Sequence, residues 1–180
     1  MIYVFLAEGF ETVEALAPID IMRRAGLPVR TVSVSSELVV KSRQGVPVLA
    51  DTTLDQVELC DATMLMLPGG IPGADNLFAS EKLCAMLKEG AKEGRYIAAI
   101  CAAPYILGRL GILKGRRATC YPGYEDRLEG AQATGERVTI DGNILTGIGM
   151  GAAVEFGLAA VGMLVGKEEA NRISAGIIQK

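Results

Sequence analysis

The chain has 180 residues, half of them hydrophobic and only 5% aromatic, with 18 basic and 21 acidic side chains giving a net charge of −3. That length suits a single domain, residues 1–180, with a core of Ala, Val, Ile, Leu and Met. No basic run exceeds a pair such as Arg23-Arg24 or Arg116-Arg117, which argues against nucleic acid as a partner, and no window reaches the ~18 apolar residues of a membrane span.

Met1–Leu6 is a short apolar run followed at once by Glu8 and Glu11, unlike a secretory leader. Cys60, Cys84, Cys101 and Cys120 show no CxxC spacing. A cytoplasmic protein with reduced thiols is the expectation. The chain contains no histidine at all. A Cys-His dyad within the chain is therefore excluded, and a structural zinc site is not expected.

In chain order, Ile2–Leu6 reads as a buried strand and Glu11–Arg24 as a helix ended by Gly26. Val29–Val34 reads as a second strand. Val46–Ala50 is a short extra strand, or one half of a hairpin with Glu37–Lys41. Thr63–Leu67 is an apolar strand closed by Pro68-Gly69-Gly70, and a helix follows over about Glu81–Glu93. The strand Tyr96–Ile100 runs directly into Cys101, and Ala102–Leu113 reads as helix. Ala118–Tyr121 reads as strand. Asp141-Gly142 is a hairpin turn between Val138–Ile140 and Ile144–Thr146. Two helices, Ala152–Leu164 and Lys167–Ile173, complete the chain. Strands alternating with helices predict a mostly parallel sheet covered on both faces. Ligands of such sheets bind outside the carboxyl ends of the strands, so the loop after Leu6, the Pro68-Gly69-Gly70 turn and Cys101 are expected to converge.

Cys101 occupies a nucleophile elbow, a strand-to-helix turn that presents a reactive side chain. The start of a helix favours thiolate over thiol; the alternative is a small buried hydrophobe. Gly69-Gly70 would let backbone N–H groups approach a ligand, and with the Ala102 N–H would form an oxyanion hole. A tight strand-to-helix turn uses the same residues. Glu14 sits mid-helix, four residues before Pro18, whose missing N–H predicts a kink there. A buried Glu14 would hold its proton and donate it to a thiolate; on spacing alone, a solvated helix carboxylate is the better reading. Gly147-Ile148-Gly149-Met150-Gly151 lacks the spacing of a dinucleotide loop and reads as the start of a packed helix. Tyr121 and Cys120 are expected to face opposite ways.

Several segments in one order carry a resemblance: Ala7-Glu8-Gly9-Phe10-Glu11 with Glu14, Pro18–Gly26, Leu67-Pro68-Gly69-Gly70, Ala98–Pro104, and Glu155-Phe156. Over essentially its whole length the chain resembles the ThiJ/PfpI superfamily, in the branch of the parkinsonism-associated deglycase. The resemblance implies a flavodoxin-like three-layer sandwich, similar to class I glutamine amidotransferases, and a homodimer with Arg24 and Arg43 near its interface. It implies Cys101 as nucleophile, Glu14 as the protonated carboxyl bonded to it, and Gly70 and Ala102 as backbone donors. The activity implied is of glyoxalase or deglycase type on 2-oxoaldehydes or their protein adducts, with no cofactor and no metal. A non-catalytic oxidation sensor or chaperone-like protein is the alternative. Two positions depart from the pattern. Cys120-Tyr121-Pro122 stands where the branch commonly has Thr-His-Pro, which leaves Tyr121 to orient the substrate. Ala102 stands where PfpI proteases have histidine, so peptidase activity is not expected.

Overall fold

The computed structural model describes residues 1–179. Its strands are β1 (Ile2–Leu6), β2 (Val29–Ser33), β3 (Val39–Lys41), β4 (Pro47–Leu49), β5 (Thr52–Thr53), β6 (Met64–Leu67), β7 (Tyr96–Ile100), β8 (Arg117–Ala118), β9 (Gln132–Ala133), β10 (Val138–Asp141) and β11 (Ile144–Gly147). Its helices are α1 (Thr12–Arg24), α2 (Gly73–Phe78), α3 (Glu81–Lys92), α4 (Pro104–Arg109), α5 (Ala153–Val165) and α6 (Lys167–Gly176).

Seven strands form one sheet in the order β10-β11-β7-β6-β1-β2-β5, parallel throughout except for β10. The alternation of side chains along each strand builds two cores. Ile2, Val4 and Leu6 of β1, Met64 and Met66 of β6, and Ala98 and Ile100 of β7 pack with α1, α5 and α6. Tyr3, Phe5, Leu65, Leu67, Ile97 and Ala99 face α2, α3 and α4. This is the three-layer α/β sandwich that the alternating elements predict. Strands buried on both faces explain the continuous apolar runs in the sequence.

The hairpin across Asp141-Gly142 forms as expected, and Val39–Lys41 pairs antiparallel with Pro47–Leu49. Helix α1 continues through Pro18, where α5 crosses it so closely that a Cβ on Gly157 would lie 2.9 Å from the Pro18 Cα. Two expectations change. The helix after Cys101 covers Pro104–Arg109 alone. Strand β8 stops at Ala118 and pairs with β9, leaving Thr119–Tyr121 free of the sheet and able to cross above Cys101.

Strand order reverses beside β1: the chain passes outward to β2 and β5, then crosses to β6 on the other flank of β1. The carboxyl ends of β1, β6 and β7 stand side by side at this reversal, as the registers Val4↔Met66 and Leu67↔Ala99 show. Residues 7–11, Pro68-Gly69-Gly70 and Cys101 leave from those ends. No helix among the described residues is long and apolar enough to cross a membrane.

Candidate active site

Strand β7 delivers four buried residues, Ile97–Ile100, and then Cys101 with φ +66°. A side chain in that left-handed region costs roughly 1–2 kcal/mol, so the surroundings must hold it. The Cys101 N–H donates to the Gly147 carbonyl at 2.8 Å, and its own carbonyl accepts the Tyr121 N–H at 2.8 Å. The elbow expected from sequence is present. Its expected electrostatics are not: α4 has six residues and begins three positions after Cys101, so no long helix aims its dipole at the sulfur.

Glu14 projects from α1 into the same place and is 1% exposed, which corrects the reading of a solvated carboxylate. Burial pushes its carboxyl up to about 7, with hydrogen bonds from Cys101 and from the Gly69 and Met150 backbone opposing the shift. The Gly69 N–H donates to Glu14 Oε2 at 3.0 Å. Burial, followed by the neighbouring Glu14 carboxylate, pushes the Cys101 thiol up to about 12, while the Ala102 and Gly70 N–H groups pull it down. Two acids this close cannot both ionise cheaply. Above pH 7 the pair therefore retains one proton. A thiol beside a carboxylate and a thiolate beside a carboxylic acid differ only in where that proton sits.

Glycine at two positions makes this proximity possible. A Cβ on Gly69 would lie 2.6 Å from Glu14 Oε2 and 2.7 Å from the Cys101 Cβ. Gly70 takes φ +88°, and a Cβ there would meet the Glu11 N at 2.5 Å. Only residues without a side chain fit either place.

A cavity of about 400 Å³ opens over the pair. Cys101, Glu14, Gly70, Ala102 and Tyr121, all singled out from sequence, line it together. Tyr121 is 51% exposed and Cys120 4%, so the two face opposite ways as expected, although they lie outside a strand. Sequence reasoning missed Glu11, Gln44, Ile71, Tyr124 and Met150 as lining residues. Gln44 donates to Glu11 Oε2 at 2.7 Å and accepts from Thr12 Oγ1 at 3.0 Å, which ties the β3–β4 turn to α1. Arg43 also lines the cavity, whereas Arg24 lies elsewhere, paired with Asp20 at 2.6 Å. Among the described residues, no group of three or more Cys, Asp or Glu side chains is placed to hold a metal.

Residues 1–163 match the model of the DJ-1/PfpI family. The chain belongs to the DJ-1/PfpI family. It is 38% identical over 177 residues to protein DJ-1 homolog B of Arabidopsis thaliana, covering 97% of this chain and 40% of that protein. The chain thus spans about two fifths of that relative's length. Protein dj-1beta of Drosophila melanogaster is 34% identical over 177 residues, 97% of this chain and 95% of its own. The solved structure described as Toxoplasma gondii DJ-1, oxidized, superposes with a TM-score of 0.94 at 36% identity, covering 98% of this chain and 97% of that one. Isonitrile hydratase of Pseudomonas putida is 32% identical over 167 residues, covering 91% of this chain and 71% of that protein. The DJ-1/PfpI sandwich thus carries here a cysteine, a buried carboxyl and a tyrosine, in a chain without histidine.

Proposed function

We propose that this DJ-1/PfpI protein is a cysteine-dependent glyoxalase or deglycase-type enzyme acting on 2-oxoaldehydes or their protein adducts. The observation that carries the reading is the buried Glu14 carboxyl beside Cys101, the two lining one open cavity. It supplies a proton acceptor that a chain without histidine otherwise lacks.

Sulfur adds to the aldehyde carbon, forming the C–S bond, while the thiol proton passes to Glu14. The Gly70 and Ala102 N–H groups steady the resulting oxyanion, which takes that proton back from Glu14 to give the hemithioacetal and leave the carboxylate free. Glu14 then removes the hydrogen on that carbon and returns it to the adjacent carbonyl carbon, while the hydroxyl proton of the first carbon passes to the oxygen of the second. The first carbon is thereby oxidised to a thioester and the second reduced to an alcohol, with no outside oxidant or cofactor. Water cleaves the thioester, releasing a 2-hydroxy acid and the free thiol. Tyr121 orients the substrate carbonyl from the cavity wall.

The experiment is incubation with methylglyoxal, following hydroxy-acid formation beside Cys101→Ser and Glu14→Gln controls. Turnover lost in both controls supports the reading; no turnover by the parent chain overturns it. An isonitrile, the substrate class in the name of the Pseudomonas relative, serves as the comparison electrophile. Peptide hydrolysis of the PfpI type lacks its histidine in this chain.

A second reading is favoured by the similar structure described as oxidized. Peroxide converts Cys101 to sulfenic and then sulfinic acid, with the protonated Glu14 as hydrogen-bond donor to the product. Ready oxidation without aldehyde turnover would select this sensor. The homodimer implied by the family resemblance, with Arg24 and Arg43 at its contact, belongs to the same proposal, and sedimentation of Arg43→Glu beside the parent chain tests it.

A further inference from the structure

A three-carbon aldehyde fills a small part of the cavity above Cys101. A volume of about 400 Å³ falls in the range of roughly 300–1,000 Å³ that accommodates drug-sized ligands. The wall beyond Cys101 is aromatic. Tyr121 and Tyr124 both line it, their ring centroids 6.4 Å apart and nearly perpendicular.

The Tyr124 ring is braced from outside the cavity. The Arg127 guanidinium lies 4.4 Å from the Tyr124 ring centroid and 6.0 Å from that of Tyr105. Tyr105 is 5% exposed, donates its hydroxyl to Asp75 Oδ1 at 2.8 Å, and meets Phe78 edge-on at 5.7 Å. Backbone bonds continue the brace: the Tyr124 N–H donates to Tyr121 O at 3.0 Å, and the Arg127 N–H to Tyr124 O at 2.9 Å. The following residues are pressed onto α4, where a Cβ on Gly108 would run into the Arg127 carbonyl. Tyr124 is half-buried, and these contacts hold its ring in place. A cation behind one side of a ring leaves the cavity side free to take another flat group, and offset or edge-on aromatic pairs gain beyond simple burial.

We infer that Tyr124, held by Arg127, forms a subsite for a flat ring, so that the preferred substrate is an electrophile carrying an aromatic or heteroaromatic group one or two atoms away from its reacting carbon. The inference rests on Cys101 being the reacting group, as in the function proposed above. Tyr124 determines specificity, and Arg127 is a positioning residue that acts through it.

The test compares two pairs of reagents that differ by a ring. The first pair is phenylglyoxal and methylglyoxal, read as the ratio of kcat/KM. The second is iodoacetanilide and iodoacetamide, read as the ratio of alkylation rates at Cys101. In the second pair the sulfur displaces iodide, the C–S bond replaces C–I, and the thiol proton goes to buffer, so no turnover is required. Each ratio cancels any general change in Cys101 reactivity and the intrinsic difference between reagents when variants are compared.

The parent chain should favour the ring-bearing member of each pair over the same reagents' reactions with a small thiol. Tyr124→Ala should lower the ratios about five-fold, and Tyr124→Phe should keep them. Arg127→Met should lower them about two-fold through KM, with Arg127→Lys restoring most of the loss. Ratios unchanged in Tyr124→Ala overturn the subsite. If neither oxoaldehyde turns over but the alkylation ratio falls in Tyr124→Ala, the ring subsite stands and the oxoaldehyde reading fails.

Discussion

The Tyr121 N–H donates to the Cys101 carbonyl at 2.8 Å, so the residue whose phenol lines the cavity is tied through the backbone to the elbow cysteine itself. One hydrogen bond fixes the distance from which Tyr121 can address a substrate bound to sulfur. Tyr121→Phe keeps the ring and that backbone bond but removes the hydroxyl. Turnover of methylglyoxal should fall about three- to ten-fold, the value of one hydrogen bond, while Cys101 alkylation stays as it was. An unchanged kcat/KM would show that the hydroxyl has no part in orientation.

Glu14→Gln should move two readouts in opposite directions. Removing the carboxylate takes away a charge that pushes the Cys101 thiol up, so alkylation by iodoacetamide at pH 8 should quicken by about ten-fold. Turnover should fall at least about 100-fold, because the proton acceptor is gone. If both fall together, the part Glu14 plays as acceptor of the thiol proton outweighs the repulsion its charge exerts on the thiolate, and the expected rise in alkylation is wrong.

The same residue predicts a pH dependence of stability. Its carboxyl titrates near its ordinary value of 4.5 in the unfolded chain and at about 7 in the folded one. The folded state therefore holds a proton that the unfolded state has released between those values. This contribution to stability is complete below pH 4.5 and is lost as pH rises through 7, by about 3 kcal/mol at most. Urea titrations at pH 5 and pH 8 should show the parent losing stability relative to Glu14→Gln. Parallel pH profiles for the two proteins would place the carboxyl in water.

Gly69→Ala puts a methyl group 2.6 Å from Glu14 Oε2 and 2.7 Å from the Cys101 Cβ. Overpacking of this kind costs about 1–3 kcal/mol. A lowered thermal midpoint should accompany loss of turnover, since the added group separates sulfur from carboxyl. Retention of both would mean that the turn can shift aside.

Peroxide should modify Cys101 before Cys60, Cys84 and Cys120. Cys101 opens to the cavity beside a proton acceptor and two backbone donors, whereas Cys120 is buried and Cys84 donates to the Phe78 carbonyl at 3.2 Å. Cys60 is exposed, next to Asp61. Glu14→Asp, one methylene shorter, should reduce accumulation of a stable Cys101 sulfinate. Peptide mapping that finds another cysteine oxidised first would remove the argument from the elbow.

The apolar runs Ile2–Leu6, Thr63–Leu67 and Tyr96–Ile100 disclosed the parallel sheet, because strands covered on both faces need hydrophobic residues at every position. The same runs disclosed the site's position, since Cys101 and Pro68-Gly69-Gly70 follow directly from strand ends. Short-range signals also settled the Asp141-Gly142 hairpin. They failed where distant chain decided the outcome. The helix after Cys101 ended early against the 127–129 segment, and the close packing of Gly157 on Pro18 left no mark in the sequence.

By itself, then, the sequence determined the fold class, the cysteine at the strand-to-helix elbow and the exclusion of histidine chemistry, because periodicity and residue identity are local properties of the chain. Only the tertiary structure decided the state of that cysteine and the shape of its cavity. Glu14 is 87 residues from Cys101 in the chain (101 − 14), and what burial and a neighbouring charge do to an acid depends on what surrounds it in space. Tyr124, Arg127 and Gln44 likewise reach the cavity or its wall through packing between elements, which no spacing in the sequence records.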